Sequence, residues 1–370
     1  MSIHVLMISK ALVVGAYHTK LEEIIRLGVN LDVVIPESWG RQKAERIQGH
    51  GYTLHILPVV LSGKNHFHYY PSLSALIKKI KPDIIHVDEE SFSIVTYLVM
   101  RQARALGIPT IFFNWQNIFK NNPWPFSAME RYSMKYAAAG IAGNREAKEV
   151  LLKKGCTIPI YVIPQFGVDS TLFSKQVQSD LRKTIVGETD AFVIGFSGRF
   201  VEEKGIRDLI SACSRLSSQV HLVLIGGGPL RNDLLRQASS LGMGKRFHII
   251  DSVKSVEMPK YLNILDCLVL PSLTRKNWKE QFGRVLIEAM ACEVPVIGSS
   301  SGEIPNVIAH AGHIFPEGNI PALQKILQEL MLNRTLCVEL GKEGRRWVLE
   351  NYTQKKIAED TVNIYRNIAK

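Results

Sequence analysis

Two glutamates, Glu280 and Glu288, have seven residues between them in the segment WKEQFGRVLIEAM (residues 278–290). Phe282 and Gly283 lie between them and precede a run whose composition favours a helix. Gly283 would then begin that helix, where unpaired backbone N–H groups and the helix dipole attract a phosphate. Carboxylates at the two ends of such a turn could hold hydroxyls on either side of a diphosphate. Glutamate near a helix start is also common for dipole reasons alone, so the pattern is only suggestive by itself.

A second segment, GFSGRFVEEKG (residues 195–205), carries positive charge in a comparable place. It leaves a predicted strand through Gly198 and Arg199 and reaches Lys204 just before another helical pattern. Arginine offers a planar fork and lysine a point charge, and both suit phosphate oxygens. Taken alone, these could be solvated side chains of an ordinary strand–helix loop. Together with the glutamate pair, they favour a cationic site for a diphosphate.

Short apolar runs alternate with helical patterns along the chain, which is typical of a βαβ architecture. The predicted strands are residues 4–9, 31–36, 53–59, 83–88, 110–115, 140–144 and 160–164, then 192–198, 221–227, 247–251, 267–272, 295–300 and 311–315. Most are continuous Val, Ile and Leu runs, as in parallel sheets covered on both faces. Pro, Gly and Asp interrupt the pattern at residues 162–173, so we expect two successive doubly wound domains. The sequence pattern of residues 345–370 predicts a helix with a break around residues 351–353.

Composition narrows the class of protein. The chain has 370 residues, 46% of them apolar, and a formal net charge of +11. No apolar run approaches the roughly 20 residues of a spanning helix, and the first residues predict a strand and no signal peptide. The five cysteines are odd in number and scattered, which predicts reduced, mostly buried thiols in the cytoplasm. The charge fits either a basic soluble surface or an anionic partner such as lipid or a phosphate-bearing substrate. No nucleic-acid-binding signature accompanies it.

Four segments together resemble a known family: SGRFVEEKG, VLIGGGPLRNDL, LDCLVLPSL and EQFGRVLIEAMACEVPVIGSSSGEIPNVI. They look like a group-1 (family 4) retaining glycosyltransferase with the GT-B fold, whose E-x(7)-E motif the glutamate pair matches. The resemblance covers nearly the whole chain and is strongest over residues 195–305. It implies two facing Rossmann-like, doubly wound α/β domains. Residues 1–167, with a helix at 353–370 that crosses back, would form the acceptor-side domain, and residues 168–352 the nucleotide-sugar-binding domain.

The family reaction implied is transfer of a hexosyl group from a nucleoside-diphosphate sugar, UDP- or GDP-linked, to a glycan or lipid-linked acceptor. Such reactions serve cell-surface polysaccharide or glycolipid synthesis. The sugar nucleotide is a substrate, and no cofactor is implied. Many sugar transferases hold a metal at an Asp-x-Asp motif, but no Asp-x-Asp occurs in this chain. We therefore expect metal-independent catalysis, in which fixed positive groups stabilise the departing diphosphate.

The resemblance also implies roles by position. Arg199 and Lys204 would balance the diphosphate, Glu280 would contact sugar hydroxyls and Glu288 the ribose. The remaining donor-binding positions implied are Gly15, Gly198, Ser252, Val253, Phe282, Gly283, Arg284 and Val285. Among them, Gly15 would let the first strand–helix loop approach the donor phosphate. The last three would offer backbone amides to the phosphate and the donor sugar, and Ser252 and Val253 would lie near the base.

The sequence departs from the family on the acceptor side. Many members carry a His in the segment that here is FFNWQN (residues 112–117), which has none. His86 stands at the end of a predicted strand, so it is a candidate acceptor-side group, with a structural core histidine as the alternative. Glu90 and Gln116 are the other candidates to replace the missing contact.

Two segments combine aromatic with basic residues: residues 117–136 and 66–82. They fit a face that contacts anionic lipid headgroups or a phosphate-linked glycan. The alternative is a pair of core-packing helices with solvated lysines. We thus expect a cytoplasmic protein, with contact at the inner face of the membrane as one of these two interpretations.

Two other classes remain open on the sequence. A GT-B nucleotide-sugar epimerase would share the donor site but need acid/base groups and no acceptor. A non-catalytic two-domain sugar-binding protein of periplasmic type would share the α/β pattern, although the missing signal peptide and the basic phosphate loop argue against it. Incubation with donor alone separates the first from a transferase, and transfer of labelled sugar excludes the second.

Overall fold

The computed structural model describes residues 2–45, 51–187 and 190–369. The chain forms two compact units, one of Met1–Gly167 together with Gln354–Lys370 and one of Val168–Thr353. All five cysteines are buried and free, as predicted. Within the described residues, we find no helix that combines the length and the apolar character needed to cross a bilayer.

A parallel seven-stranded sheet forms the centre of the first unit, in the spatial order β5–β2–β1–β6–β7–β8–β9. These strands are β1 His4–Ile8, β2 Asn30–Pro36, β5 Thr53–Leu57, β6 Ile84–Val87, β7 Thr110–Asn114, β8 Ala139–Ala142 and β9 Ile160–Val162. Val5 and Met7 pack into one apolar core, whereas Leu6 and Ile8 pack into another. Coverage of both faces explains why β1 is a continuous apolar run. All seven predicted strands are confirmed.

One small element of this unit was not predicted. The strands β3, Ser38–Trp39, and β4, Gln42–Lys43, form an antiparallel pair. Each is only two residues long, which is too short for a hydrophobic period to be visible in the sequence.

Helices cover the sheet of the first unit. They are α1 Thr19–Arg26, α2 Leu73–Ile80, α3 Ile94–Ala105, α4 Phe126–Tyr136, α5 Arg145–Lys153 and the last helix of the chain, α14 Gln354–Ile368. Helix α5 begins after Asn144, whose side chain accepts a hydrogen bond from the N–H of Ala147. Helix α14 packs against α1 and buries Val362 and Tyr365. The C-terminal helix therefore belongs to the unit formed by the N-terminal residues, as expected.

The second unit contains a parallel six-stranded sheet in the order β12–β11–β10–β13–β14–β15. These are β10 Phe192–Arg199, β11 Val220–Gly227, β12 Phe247–Ile250, β13 Cys267–Leu270, β14 Val296–Ser299 and β15 His313–Phe315. Its helices are α6 Ser179–Val186, α7 Ile206–Ser214, α8 Arg231–Ser240, α9 Met258–Leu262, α10 Arg284–Ala291, α11 Ile304–Ile308, α12 Ile320–Leu332 and α13 Arg334–Asn351. The six strands of the second predicted series are confirmed, and so is the helix break, between α13 and α14.

Each sheet has one point at which the strand order reverses. In the first unit it lies between β1 and β6, and in the second between β10 and β13. Ligands of open α/β sheets bind beyond the C-terminal strand ends at such points. The candidate ligand-binding residues are therefore those that follow these four strands.

Candidate active site

An ion pair between Lys204 and Glu280 lies at the reversal point of the second sheet. Nζ of Lys204 is 2.5 Å from Oε2 of Glu280, and Oγ of Ser272 donates to the same oxygen over 2.8 Å. Only 14% and 10% of the two charged side chains are exposed. Nζ of Lys204 also lies 5.1 Å from the centre of the Trp278 ring. Two groups that the sequence placed in separate segments are thus in direct contact.

A close approach of two loops holds Lys204 in place. Residues Glu202–Lys204 form a 3-10 turn that ends at Gly205, whose φ is +64°. A Cβ atom at Gly205 would lie 1.9 Å from the carbonyl oxygen of Pro271, in the loop after β13. In addition, the N–H of Leu273 donates to the carbonyl of Glu203 over 2.8 Å. Glycine at 205 is therefore needed both for its φ and for the space.

Gly283 begins helix α10, as predicted. Its φ is +76°, and a Cβ there would lie 2.8 Å from Cδ2 of Leu270. The amides of Arg284 and Val285 come in the first turn, before the i→i−4 hydrogen bonds of the helix start. Phe282 packs edge-on against Tyr352, with ring centres 5.6 Å apart. The turn thus presents a helix N-terminus directly after the segment that carries Glu280.

The second glutamate of the pair, Glu288, lies one turn into α10. Its Oε1 is 3.0 Å from Nε of Arg284, and 8% of the residue is exposed. Burial raises the pKa of Glu288, and the neighbouring Arg284 opposes that rise. Both glutamates are therefore paired with a cation four or more residues away, Glu280 with Lys204 and Glu288 with Arg284.

The backbone of Glu280 is fixed by the SGE segment that follows β14. The N–H of Glu303 donates to the carbonyl of Glu280 over 3.0 Å. Gly302 has a φ of +55°, and a Cβ there would lie 2.1 Å from the same carbonyl oxygen. Three strand-end loops therefore converge on Glu280.

Three other predicted donor-binding residues lie near strand ends of this sheet. Arg199 is the last residue of β10 and is exposed. Ser252 and Val253 follow β12, with Ser252 exposed. Across the described residues, no hydrogen bond or ion pair joins these three to the Lys204–Glu280 pair. Gly198, next to Arg199, provides the carbonyl that a Cβ at Gly226 would meet at 2.1 Å. The donor-binding roles of these four residues stay predictions.

Gly15, in the first unit, lies in a different setting from the one expected. Its N–H donates to Oε2 of Glu45 over 2.7 Å, and the residue is buried. The amide predicted to face a phosphate is thus engaged by a carboxylate of the same chain. A role for Gly15 toward a donor phosphate stays a prediction and requires this contact to open.

His86 is a core residue, so the sequence-based placement of its side chain at an accessible strand end was wrong. It lies in β6, is fully buried, and its Nδ1 is 2.6 Å from the hydroxyl of Tyr365 in α14. Burial lowers the pKa of His86 to about 3, with a smaller contribution from Lys20. His86 is therefore a structural core histidine, which was the alternative interpretation of the sequence.

Glu90 and Gln116, the other two acceptor-side candidates, each accept a hydrogen bond. Oε1 of Glu90 accepts the N–H of Trp115 over 3.0 Å, whereas its Oε2 is buried without a partner among the described residues. Burial raises the pKa of Glu90 to about 7, against the effect of that hydrogen bond. Gln116 accepts instead from Lys154, 2.8 Å away. Lys154 is in turn paired with the buried Glu130 at 2.7 Å.

Residues that the sequence reasoning did not single out gather near Glu90. Lys10 follows β1 and pairs with Glu89, whose Oε1 also accepts the backbone N–H of Lys10 over 3.0 Å. Nε2 of the fully buried His68 is 3.8 Å from the same Oε1. Tyr70 packs edge-on against His68. The available signal was positional: Lys10 and Glu89 follow the two strands at which the sheet order reverses.

Comparison with known proteins agrees with this arrangement. Residues 177–347 match the model for "Glycosyl transferases group 1", and residues 17–170 match that for "Glycosyltransferase Family 4". The first match contains Lys204, Glu280 and α10. The chain belongs to the group 1 glycosyltransferases.

Relatives of this group 1 chain are similar over about half their length. It is 29% identical over 207 residues to N-acetyl-alpha-D-glucosaminyl L-malate synthase of Bacillus anthracis, covering 54% of this chain and 52% of that one. It is 29% identical over 194 residues to the GDP-mannose-dependent alpha-(1-6)-phosphatidylinositol monomannoside mannosyltransferase of Mycolicibacterium smegmatis, covering 50% and 51%. The chain thus spans about half the length of these curated relatives.

Solved structures resemble this group 1 chain over its full length. The Anabaena HepE protein in complex with UDP has a TM-score of 0.77 at 19% identity, covering 99% of this chain and 100% of that one. A glycosyltransferase from Rickettsia africae has a TM-score of 0.78 at 18% identity, covering 100% and 99%. At these identities the likeness shows the fold. The two Rossmann-like units are those of the GT-B architecture.

Proposed function

We propose that this protein is a retaining, metal-independent hexosyltransferase. It would move a sugar from a nucleoside diphosphate to a glycan or lipid-linked acceptor, in cell-surface polysaccharide or glycolipid synthesis. The observation that carries the proposal is the buried Lys204–Glu280 pair followed directly by the N-terminus of α10 at Gly283. An ammonium and a helix N-terminus in one place are suited to a diphosphate.

The chemistry requires positive groups where the leaving group gathers charge. As the bond between the sugar and the phosphate breaks, negative charge builds on the diphosphate, and donors already in position stabilise it. Lys204 would exchange part of its contact with Glu280 for a phosphate oxygen. The N–H groups of Arg284 and Val285 would donate to the same phosphate, and exposed Arg199 would close on it.

The glutamates would then be free to hold neutral parts of the donor. Glu280, relieved of Lys204, accepts hydrogen bonds from sugar hydroxyls, and Ser272 keeps its carboxylate oriented. Glu288 stays paired with Arg284 and accepts from a ribose hydroxyl. Retention at the anomeric carbon is the outcome that the family resemblance implies. Coupling constants of the product, measured by NMR, test it.

The donor candidates are UDP- and GDP-linked sugars. One relative's name specifies GDP-mannose, and a structural neighbour was solved with UDP. Thermal unfolding in the presence of UDP, GDP and ADP identifies the base, because a ligand at 100 times its Kd adds about 2.7 kcal/mol of stability. Transfer of labelled sugar, with and without EDTA, then tests the reaction.

That experiment also separates the alternatives. Conversion of the donor without an acceptor would identify an epimerase, and binding of free sugar without turnover would identify a binding protein. Loss of transfer in EDTA would contradict metal independence. Failure of all three nucleotides to raise the unfolding temperature would overturn the proposed function itself.

We further propose that the first unit contacts anionic membrane from the cytoplasmic side. Trp124 is 82% exposed, and Phe119 and Phe67 are about half exposed. Phe67 contacts Phe126 edge-on at 5.0 Å, which joins the two aromatic segments on one surface. Lys120 is exposed between Phe119 and Trp124. Aromatic rings with cationic neighbours are typical of an interfacial surface.

Co-sedimentation with vesicles tests this surface. Binding should require anionic lipid and should weaken in Trp124→Ala, while Leu332→Ala, an exposed apolar residue of the second unit, serves as the control. Equal binding of the two variants, or binding to purely zwitterionic vesicles, would contradict the membrane proposal.

A further inference from the structure

A cavity of about 360 Å³ lies in the first unit between α4, the end of α5 and the loop that follows β7. Small-molecule sites in proteins have volumes of about 300–1,000 Å³. Three cationic side chains and one acidic side chain line this cavity: Arg131, Lys153, Lys154 and Glu130. The acceptor-side candidates are not among its lining residues. The excess of positive charge indicates an anionic ligand.

The single acid of the cavity is already paired with a cation. Glu130 is 2.7 Å from Nζ of Lys154, and only 6% of each side chain is exposed. Arg131 and Lys153 are exposed, and their side chains make no ion pair or hydrogen bond with other described residues. Glu149, the acid one turn before Lys153 in α5, is not paired with it. Two cations are therefore available to a ligand.

A buried amide adds a donor to these cations. Nδ2 of Asn122 is buried and has no hydrogen-bond partner among the described residues. Asn122 lines the cavity, as does the hydroxyl-bearing Ser127. An amide nitrogen only donates, and a buried donor without a partner destabilises the fold, so a ligand that accepts from it is favoured. Cations and donors together suit an oxyanion, and the planar fork of Arg131 suits a phosphate.

The surroundings of the cavity favour a lipid as the source of that phosphate. Phe119 lines the cavity and is 50% exposed, and Trp124, two residues after Asn122, is 82% exposed. Exposed aromatic rings beside cationic groups are typical of a surface at the level of lipid headgroups. We propose that this cavity binds the phosphate of an anionic lipid headgroup, with the two rings inserted beside it. The inference rests on the membrane contact proposed above.

Co-sedimentation of the full chain with phosphatidylcholine vesicles that contain phosphatidylglycerol tests the proposal. Arg131→Gln and Lys153→Gln each remove one cation from the cavity. Lys135→Gln is the matched control, because this lysine is exposed one turn after Arg131 in α4 and does not line the cavity. All three variants lose the same charge, and with it the general attraction to the membrane. The two cavity variants should bind about 10-fold more weakly than the control, as for the additional loss of one hydrogen bond to a charged group.

A neutral substitution and a soluble probe separate the remaining outcomes. Because Nδ2 of Asn122 is unpaired, Asn122→Ala should unfold near the parental temperature yet bind the vesicles about 10-fold less tightly. Equal vesicle binding by Arg131→Gln, Lys153→Gln and Lys135→Gln would overturn the proposal. Thermal stabilisation by glycerol 3-phosphate that Arg131→Gln abolishes, with vesicle binding unchanged, would overturn it too, because the cavity would then take a soluble phosphate ester. A parent protein that binds no anionic vesicles would overturn the membrane contact as well, whereas sugar transfer tests the transferase function independently.

Discussion

The two candidate sites of this molecule differ in how their polar groups are satisfied. In the second unit four charged side chains are paired before any ligand binds: Lys204 with Glu280, and Arg284 with Glu288. In the first unit His68 and Tyr70 are buried without partners among the described residues. A paired site must exchange contacts to bind a charged donor, whereas an unpaired site gains contacts when a ligand binds.

They differ also in what fixes the geometry. Backbone approaches that only glycine permits hold the second site, at Gly205 and Gly302. The first site depends on side chains from segments far apart in the chain. Lys10 and His68, for example, both lie close to the carboxylate of Glu89. On the proposed function, the donor site would keep a fixed shape, whereas side-chain substitution would change the first site without moving its backbone.

The largest effect is expected where the donor site supplies charge. Lys204→Ala should lower turnover about 100-fold, because loss of one fixed donor to a developing anion costs about 3 kcal/mol. Lys276→Ala, in the same loop region but exposed, should leave turnover unchanged. Steady-state kinetics with the identified donor measures both. A Lys204→Ala enzyme within twofold of the parent would remove this lysine from the mechanism.

A backbone substitution tests the fixed shape of the same site. Gly205→Ala and Gly242→Ala both place a Cβ on a residue with φ between +60° and +75°, which costs about 1 kcal/mol. Only at Gly205 does the new atom meet a carbonyl oxygen; at Gly242 nothing lies within 4 Å. Gly205→Ala should therefore lose about 1–3 kcal/mol more by urea denaturation, as for overpacking. Equal losses would show that the Gly205–Pro271 approach relaxes easily.

Glu90 gives the stability of the first unit a pH dependence. Burial raises its folded-state pKa to about 7, above the ordinary value of 4.5. Between these values the folded state binds more protons, so its contribution to stability is complete below pH 4.5 and is lost as the pH rises through 7. Relative to Glu90→Gln, the parent should lose at most about 1 kcal/mol per pH unit across this window. Urea denaturation at pH 5, 6, 7 and 8 measures it.

The exposed Glu149→Gln serves as the control for that titration. Its stability should follow the parent at every pH. If Glu90→Gln also follows the parent from pH 5 to 8, the carboxyl of Glu90 is more solvated than its position indicates.

This contrast explains what the sequence could predict. Parallel strands are continuous apolar runs, so all thirteen strands of the two main sheets were predicted. The contact region of Lys204, Glu280 and Gly283 was predictable because each residue lies in a short local pattern at a strand end or a helix start. What no local pattern could reveal is that Gly302, some twenty residues later, contacts the backbone of Glu280.

The first unit was less predictable for a physical reason. His68 and Tyr70 lie in an irregular segment between β5 and α2, and nothing in their spacing indicates that Glu89 is their neighbour. The burial of His86 could not be predicted, because the sequence of one strand does not show that both faces of that strand are covered. Its partner Tyr365 comes from α14, 279 positions later in the chain.

The smallest effect is expected for the contact between Tyr365 and His86. This contact tests whether His86 has a structural or a functional role in the first unit. Tyr365→Phe removes the hydroxyl that meets Nδ1 of His86 at 2.6 Å, so the free energy of unfolding should fall by about 1 kcal/mol. Tyr161→Phe, whose hydroxyl makes no hydrogen bond with other described residues, should change it less. Because His86 is buried, turnover and acceptor KM should stay at parental values in both variants. A changed acceptor KM in Tyr365→Phe, with stability intact, would return His86 to the acceptor-side candidates.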